Sequence, residues 1–309
     1  MDKQLPQTLY HYCSFPTFLK IIKNKSIWLS DISKSNDSLE LKWIKDKCRY
    51  YILKVWTDYA TAMKEQGKLE KVDFEEFDKI KNQIDDFYNI DTEKCWAFCL
   101  SEKQDDLGQW RGYADDGSGI SIGFKSSYFE NILDQHKPDP AFSSKVIFGD
   151  VLYTEEALNS LFYDECSLSQ INPQMSSKEV IKNLRTAVVA SLLLAPFYKN
   201  EYFSEEKEWR VAFTLLMKDL FAGKTPKTVL EETVDDIKTN YEYTIRGNDL
   251  VSHIELIDKN LVNNVNEIWV GPKCNLSSTE LKLFLISTGF LDNSDDNSIR
   301  IYKSHASYQ

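Results

Sequence analysis

The stretch Ser204-Glu205-Glu206-Lys207-Glu208-Trp209-Arg210-Val211-Ala212-Phe213 reads as an acidic loop running into a strand. Side chains alternate faces along a strand, so Glu206 and Glu208 are expected on one side with Arg210 next in line, and Trp209, Val211 and Phe213 in a core. Two carboxylates and a guanidinium then share one edge of a cleft. Neighbouring carboxylates raise each other's pKa unless a cation or hydrogen bonds intervene, and that tension is a common setting for acid-base chemistry. A solvated strand edge with an ordinary Glu-Arg pair is the plain alternative.

Working outward, Ser177 to about Tyr202 has the pattern of a long helix, apolar over Ala187 to Phe197, which Pro196 should kink or end. At the other end of the chain, Leu9 to Cys13 is strand-like, Ser14 is a natural N-cap, and Phe15 to Lys23 has helical spacing with Pro16 tolerated in its first turn. Ser26 to Ser30 is a second strand. Apolar residues at helical spacing from Leu39 to Met63, and again from Phe74 to Phe87, predict a helical hairpin inserted over residues 39–90. Cys95–Leu100, Ile120–Phe124 and Lys145–Tyr153 read as strands, as do Tyr241–Ile245, Ile254–Ile257, Glu267–Val270 and Ser298–Tyr302. A last helix covers Leu281 to Ser287, while Lys218 to Asp236 is charged and poorly patterned. Strands mixed with helices of unequal length predict an α+β fold. The expectation is a single domain over residues 1–309 with a mixed, mostly antiparallel sheet.

A chain of 309 residues with 42% hydrophobic content can bury a full core. Its net charge of −11 repels a phosphate backbone, so broad nucleic-acid binding is not expected. No run approaches the length of a membrane span, and Met1 to Pro6 has neither a basic nor an apolar leader pattern, so the expectation is a cytoplasmic protein that engages no membrane. Six scattered cysteines suggest free thiols. Cys95 and Cys99 would share a strand face, but without a second ligand pair they read as buried structural cysteines and not as a metal site. Gly117-Ser118-Gly119 lacks the third glycine of a dinucleotide fingerprint and precedes a strand. His11, flanked by Tyr10 and Tyr12, is either a satisfied core histidine or a ligand group; His136, His253 and His305 lie in loop-like or unpatterned surroundings.

Several segments taken in order carry a resemblance. They are Leu9-Tyr10-His11-Tyr12-Cys13-Ser14, Ile27-Trp28-Leu29-Ser30 with Asn36-Asp37, Phe98-Cys99-Leu100-Ser101-Glu102, Gln109-Trp110-Arg111-Gly112-Tyr113-Ala114, Gly119 to Phe124, Glu206 to Arg210, and Ile268-Trp269-Val270-Gly271-Pro272. Together they resemble the bacterial family called domain of unknown function 2971, which implies no reaction. Cys13, where threonine is common, and Gln109 and Arg111 around the tryptophan depart from its usual pattern.

An early histidine on a first strand, then a helix and a second strand, with a late Glu-x-Glu on another strand, is similar to the ADP-ribosyltransferase fold. That likeness implies NAD as substrate, with His11 hydrogen-bonded to a ribose. Glu208 would hold the nicotinamide-ribose hydroxyl and stabilise the growing oxocarbenium charge, and Glu206 would position or deprotonate the acceptor. Tyr113 or Ser30 would fill the middle position. Around them, Tyr12, Trp28 and Trp110 are candidate cofactor contacts, and Arg111 or Arg210 would meet the pyrophosphate. The function so implied is an NAD-dependent ADP-ribosyltransferase-like enzyme or NAD glycohydrolase, a toxin or phage-defence effector acting on an unidentified acceptor. A non-catalytic nucleotide-sensing or protein-interaction module on the same scaffold is the alternative, and a hydrolase of another glycosidic or phosphoester bond is a third reading.

Overall fold

The strand that begins at Glu208 pairs along its whole length with Lys94–Ser101, and this ladder is the centre of the molecule. The computed structural model describes residues 4–34, 40–68, 74–76, 78–79, 81–82, 94–134, 145–160, 163, 168–215, 223–233, 237–246, 248–292 and 299–308. In chain order the strands are β1 (Thr8–Cys13), β2 (Ser26–Asp31), β3 (Lys94–Ser101), β4 (Ile120–Lys125), β5 (Lys145–Asp150), β6 (Glu208–Leu215), β7 (Lys238–Arg246), β8 (Asp249–Ile257), β9 (Val265–Val270) and β10 (Arg300–Lys303). They join in one sheet ordered β10-β9-β4-β1-β3-β2-β8-β7, with β6 on the other edge of β3 and β5 beyond it. Only β9 and β10 pair in parallel among these strands. The fold is α+β with a mixed, mostly antiparallel sheet.

The sheet forks at β3. Toward β6 its register is unbroken, from Lys94↔Leu215 to Ser101↔Glu208. On the opposite edge β2 pairs only with Trp96 and Ala97, and β1 only with Ser101. Phe98, Cys99 and Leu100 are left without a strand partner there.

Alternation along β3 and β6 divides the interior into two cores. Trp96, Phe98, Leu100, Trp209, Val211, Phe213 and Leu215 face one of them, together with Phe18, Ile21 and Ile22 of the helix Phe15–Asn24 and Leu281 and Leu285 of the helix Ser278–Thr288. That first helix is built as its sequence suggests: the Ser14 side chain accepts from the Thr17 amide, and Pro16 sits in the first turn. Cys95, Ala97 and Ala212 face the second core, roofed by the helices Glu40–Glu65 and Ser177–Leu194.

The helix Ser177–Leu194 opens on a capping box made by Ser176 and Glu179. It stops at Leu194, eight residues short of the expected end, and Pro196 lies in a 3-10 turn, Ala195–Phe197. Extended to Phe197, this segment is long and apolar enough to cross a membrane by length and composition, contrary to the sequence reading, but 61% of its apolar 18-residue window is buried inside the protein. Its apolar length is accounted for by the second core. The first arm of the expected hairpin is the helix Glu40–Glu65; of the second arm, residues 74–76, 78–79 and 81–82 are helical and the rest lies outside the described residues. Within the poorly patterned Lys218–Asp236 stretch the structure has a helix, Pro226–Thr233, whose Val229 and Leu230 are buried in the first core.

Candidate functional site

Where the sheet forks, a cavity of about 190 Å³ opens between the ends of β1, β2, β3 and β6. The His11 ring occupies part of the gap in the ladder. Its Nδ1–H donates to the Cys99 carbonyl at 2.8 Å, which leaves Nε2 as an acceptor. The ring also stacks on Phe98 with centroids 4.2 Å apart. Burial pushes the His11 pKa down to about 4, against the opposing pull of the Cys99 bond, so the imidazole is neutral at pH 7.

Facing it is a four-charge cluster. Glu208 lies at the start of β6, and Arg210, two residues on, grips it with Nε at 2.7 Å from Oε1 and Nη2 at 2.9 Å from Oε2. The third donor of Arg210, Nη1, reaches the Pro196 carbonyl at 2.6 Å. Lys199 stands between the carboxylates, its Nζ 2.6 Å from Glu206 Oε2 and 3.3 Å from Glu208 Oε2. Tyr113 donates its hydroxyl to the other oxygen of Glu206 at 2.7 Å. Burial alone would raise the pKa of Glu208, but Arg210 and Lys199 outweigh it and hold the carboxyl at about 2. For Tyr113 burial and the Glu206 charge act together, pushing the phenol up. The Cys99 thiol is also pushed up, by burial and by the neighbouring Glu208 charge.

Both carboxylates line the cavity, and neither cation does. Side-chain exposure follows the same order: 17% for Glu206, 7% for Glu208, 5% for Lys199 and 2% for Arg210. A ligand therefore meets the acids first, with their counter-charges behind.

Of the residues singled out in the sequence, His11, Tyr12, Trp28, Ser30, Tyr113, Glu206 and Glu208 line this cavity. Three do not. Trp110 is fully buried, edge-on to Tyr12 and donating to Asp105 at 2.7 Å, so it offers no open ring face. Arg111 lies over the Tyr308 ring at 4.5 Å, outside the cavity lining. Arg210 has its donors committed to Glu208 and Pro196 beneath the carboxylates. The seven-residue helix Leu107–Tyr113 explains this sorting, since positions four apart share a face and Gln109 and Tyr113 turn to the cavity together.

Glu206 does not belong to the strand. It ends a 3-10 turn, Glu201–Glu206, and Lys207, at φ 44°, swings the chain into β6. It reaches the same wall as Glu208 through Lys199 and Tyr113, not through strand alternation. Cys99, expected as a buried structural thiol, is open to the cavity, whereas Cys95 is buried and accepts from Thr214. His253 is on β8, stacked on Trp28 at 4.3 Å. Lys199 is a functional residue that the sequence alone does not mark. A lone lysine between a helix end and a turn has no local signal; only the Leu152↔Tyr198 bridge places it.

Residues 109–211 match the family model described as protein of unknown function (DUF2971). That match covers 103 of the chain's 309 residues. Tyr113, Lys199, Glu206, Glu208 and Arg210 all fall inside the DUF2971 match, while His11, Trp28 and Cys99 come from outside it. No curated protein and no solved structure matches the chain.

Proposed function

We propose that the fork cavity receives the nicotinamide-ribose end of NAD and breaks its glycosidic bond, passing ADP-ribose to an acceptor or to water. The observation that carries this reading is that a neutral histidine and two carboxylates line one cavity while both counter-cations stand behind the acids. As the C–N bond breaks, its electron pair goes to nicotinamide and positive charge grows on the ribose. Fixed negative charge in a site shielded from water favours that state. Glu208, with both oxygens engaged by Arg210 and Lys199, serves as a fixed charge. The carboxylate a ligand reaches most readily is Glu206, which exchanges its Tyr113 bond for a ribose or acceptor hydroxyl and takes the proton the acceptor loses. His11 Nε2 accepts from a ribose hydroxyl, and Trp28 provides a flat wall.

The cavity is smaller than the ~300–1,000 Å³ typical of sites that enclose a drug-sized ligand, so it takes the ring and first ribose and leaves the rest of the dinucleotide outside. NAD consumption of this kind is the chemistry of the toxin or phage-defence role expected above. Incubation with NAD should release nicotinamide, measured by chromatography, and Glu206→Gln should abolish the release with little change in the melting temperature. NAD left intact by the folded protein with candidate acceptors present would overturn the reading. The bidentate Arg210 grip on Glu208 favours a second reading, a nucleotide-sensing or interaction module in which the acids are structural. Calorimetric binding of NAD without turnover would select it.

A further inference from the structure

We infer that Lys199 is the positioning residue of this cavity: it clamps the turn-borne Glu206 to the strand-borne Glu208, so that two acids from different elements form one wall. The inference deepens the NAD reading and rests on it for its kinetic consequence, but the clamp itself is a property of the geometry.

Glu206 and Glu208 are separated by the left-handed residue Lys207 and belong to different elements, so the strand does not fix their relative placement. Lys199 does. Its Nζ contacts the same-named oxygen of each, 2.6 Å from Glu206 Oε2 and 3.3 Å from Glu208 Oε2. The remaining oxygen of Glu206 is thereby turned to Tyr113. The lysine is itself held in place. Its amide donates to the Leu152 carbonyl at 3.0 Å, the Leu152 amide donates to the Phe197 carbonyl at 2.8 Å, and Nζ lies over the Phe203 ring at 4.6 Å. A lysine anchored at both ends of its side chain costs less entropy to use than a free one. Arg210 cannot substitute, because its fork is spent on Glu208 and the Pro196 carbonyl. The other titratable groups around the pair are Tyr113 from the helix Leu107–Tyr113, Cys99 from β3 and Tyr153 from the segment after β5, with His11 on the facing wall.

The test uses Lys199→Met, which keeps the stem and removes the clamp, with Lys199→Arg as the conservative variant and Lys199→Gln in reserve should the methionine fail to fold. Glutamate side-chain NMR should show the Glu208 titration moving up by ~1–3 units in Lys199→Met or Lys199→Gln and returning toward wild type in Lys199→Arg. In nicotinamide release, kcat should fall about 100-fold, the scale of a misplaced group, with KM nearly unchanged, and Lys199→Arg should recover part of it. An unmoved Glu208 titration overturns the clamp. Equal losses in kcat and in thermal stability that Lys199→Arg does not relieve also overturn it, because they mark a merely structural lysine. If no variant and not even the wild type cleaves NAD, the NAD reading fails while the titration still decides the clamp.

Discussion

Two carboxylates are buried to nearly the same depth in this sheet and are satisfied in opposite ways. Glu208, 6% exposed, is held by two cations and shares a cavity wall with a third charged neighbour, Glu206. Glu255, 8% exposed, lies on β8 and accepts from Asn24, Ser26, Trp28 and Asn240, all neutral donors. In each case burial raises the carboxyl pKa and the partners more than reverse it. The difference is what remains when one partner is removed. A hydrogen-bond basket around Glu255 loses one donor in four, whereas the Glu208 cluster is left with an uncompensated charge in a poorly solvated place. Of this pair, the carboxylate beside the cavity, where a ligand can meet it, is held by charge, and the one that ties β2, β7 and β8 together is held by neutral donors.

The contrast can be broken experimentally. Arg210→Met should cost the most, ~3–5 kcal/mol in urea unfolding, because it strands Glu208. The acid limb of stability comes next. Glu208 falls from its ordinary 4.5 to about 2 on folding, so its contribution, ~3 kcal/mol, is complete above pH 4.5 and is lost as the pH drops through 2. His11 falls from 6.5 to about 4, so it too contributes fully at high pH, and its share is lost between 6.5 and 4. Denaturation midpoints followed across pH should therefore decline in two stages, with the upper stage missing from His11→Asn and the lower one from Glu208→Gln. Glu255→Gln should cost ~1–2 kcal/mol, since a neutral amide keeps part of the basket and strands no cation. If it costs more than Arg210→Met in the same assay, the distinction between the two carboxylates collapses. Tyr113→Phe, at a residue 39% exposed, should cost no more than ~1 kcal/mol, and calorimetry should show tighter NAD binding once Glu206 is freed from that bond.

How much of this was legible beforehand follows from the range of the forces involved. The alternation Glu208, Trp209, Arg210, Val211, Ala212, Phe213 sorts onto two faces as the period-two pattern requires, because a fully paired strand enforces it. The Ser14 cap and the helix stop near Pro196 are equally local, each decided within a few residues. Strand alternation puts Glu206 beside Glu208, but the left-handed Lys207 interrupts that alternation, and Lys199 and Tyr113 hold Glu206 at the wall instead. Trp110 and Arg111 lie away from the cavity that their sequence neighbourhood suggests, because the short helix Leu107–Tyr113 has too few apolar positions to announce its period. Lys199 depends on the Leu152↔Tyr198 bridge and the open Cys99 on the fork of β1, β2 and β3, long-range arrangements that no window of sequence contains.

That fork has a mechanical consequence. Among the described strands the two wings, β10-β9-β4-β1 and β2-β8-β7, join edge to edge through β3, with the helix Phe15–Asn24 packed on both, so a change in the coiling of that one ribbon is expected to alter the separation of His11 and Trp28. The width of the hollow is thus tied to its hinge, and a substitution at Trp96, on the packed face of β3 and stacked on Phe213 of β6, is expected to alter the aperture without touching what enters it.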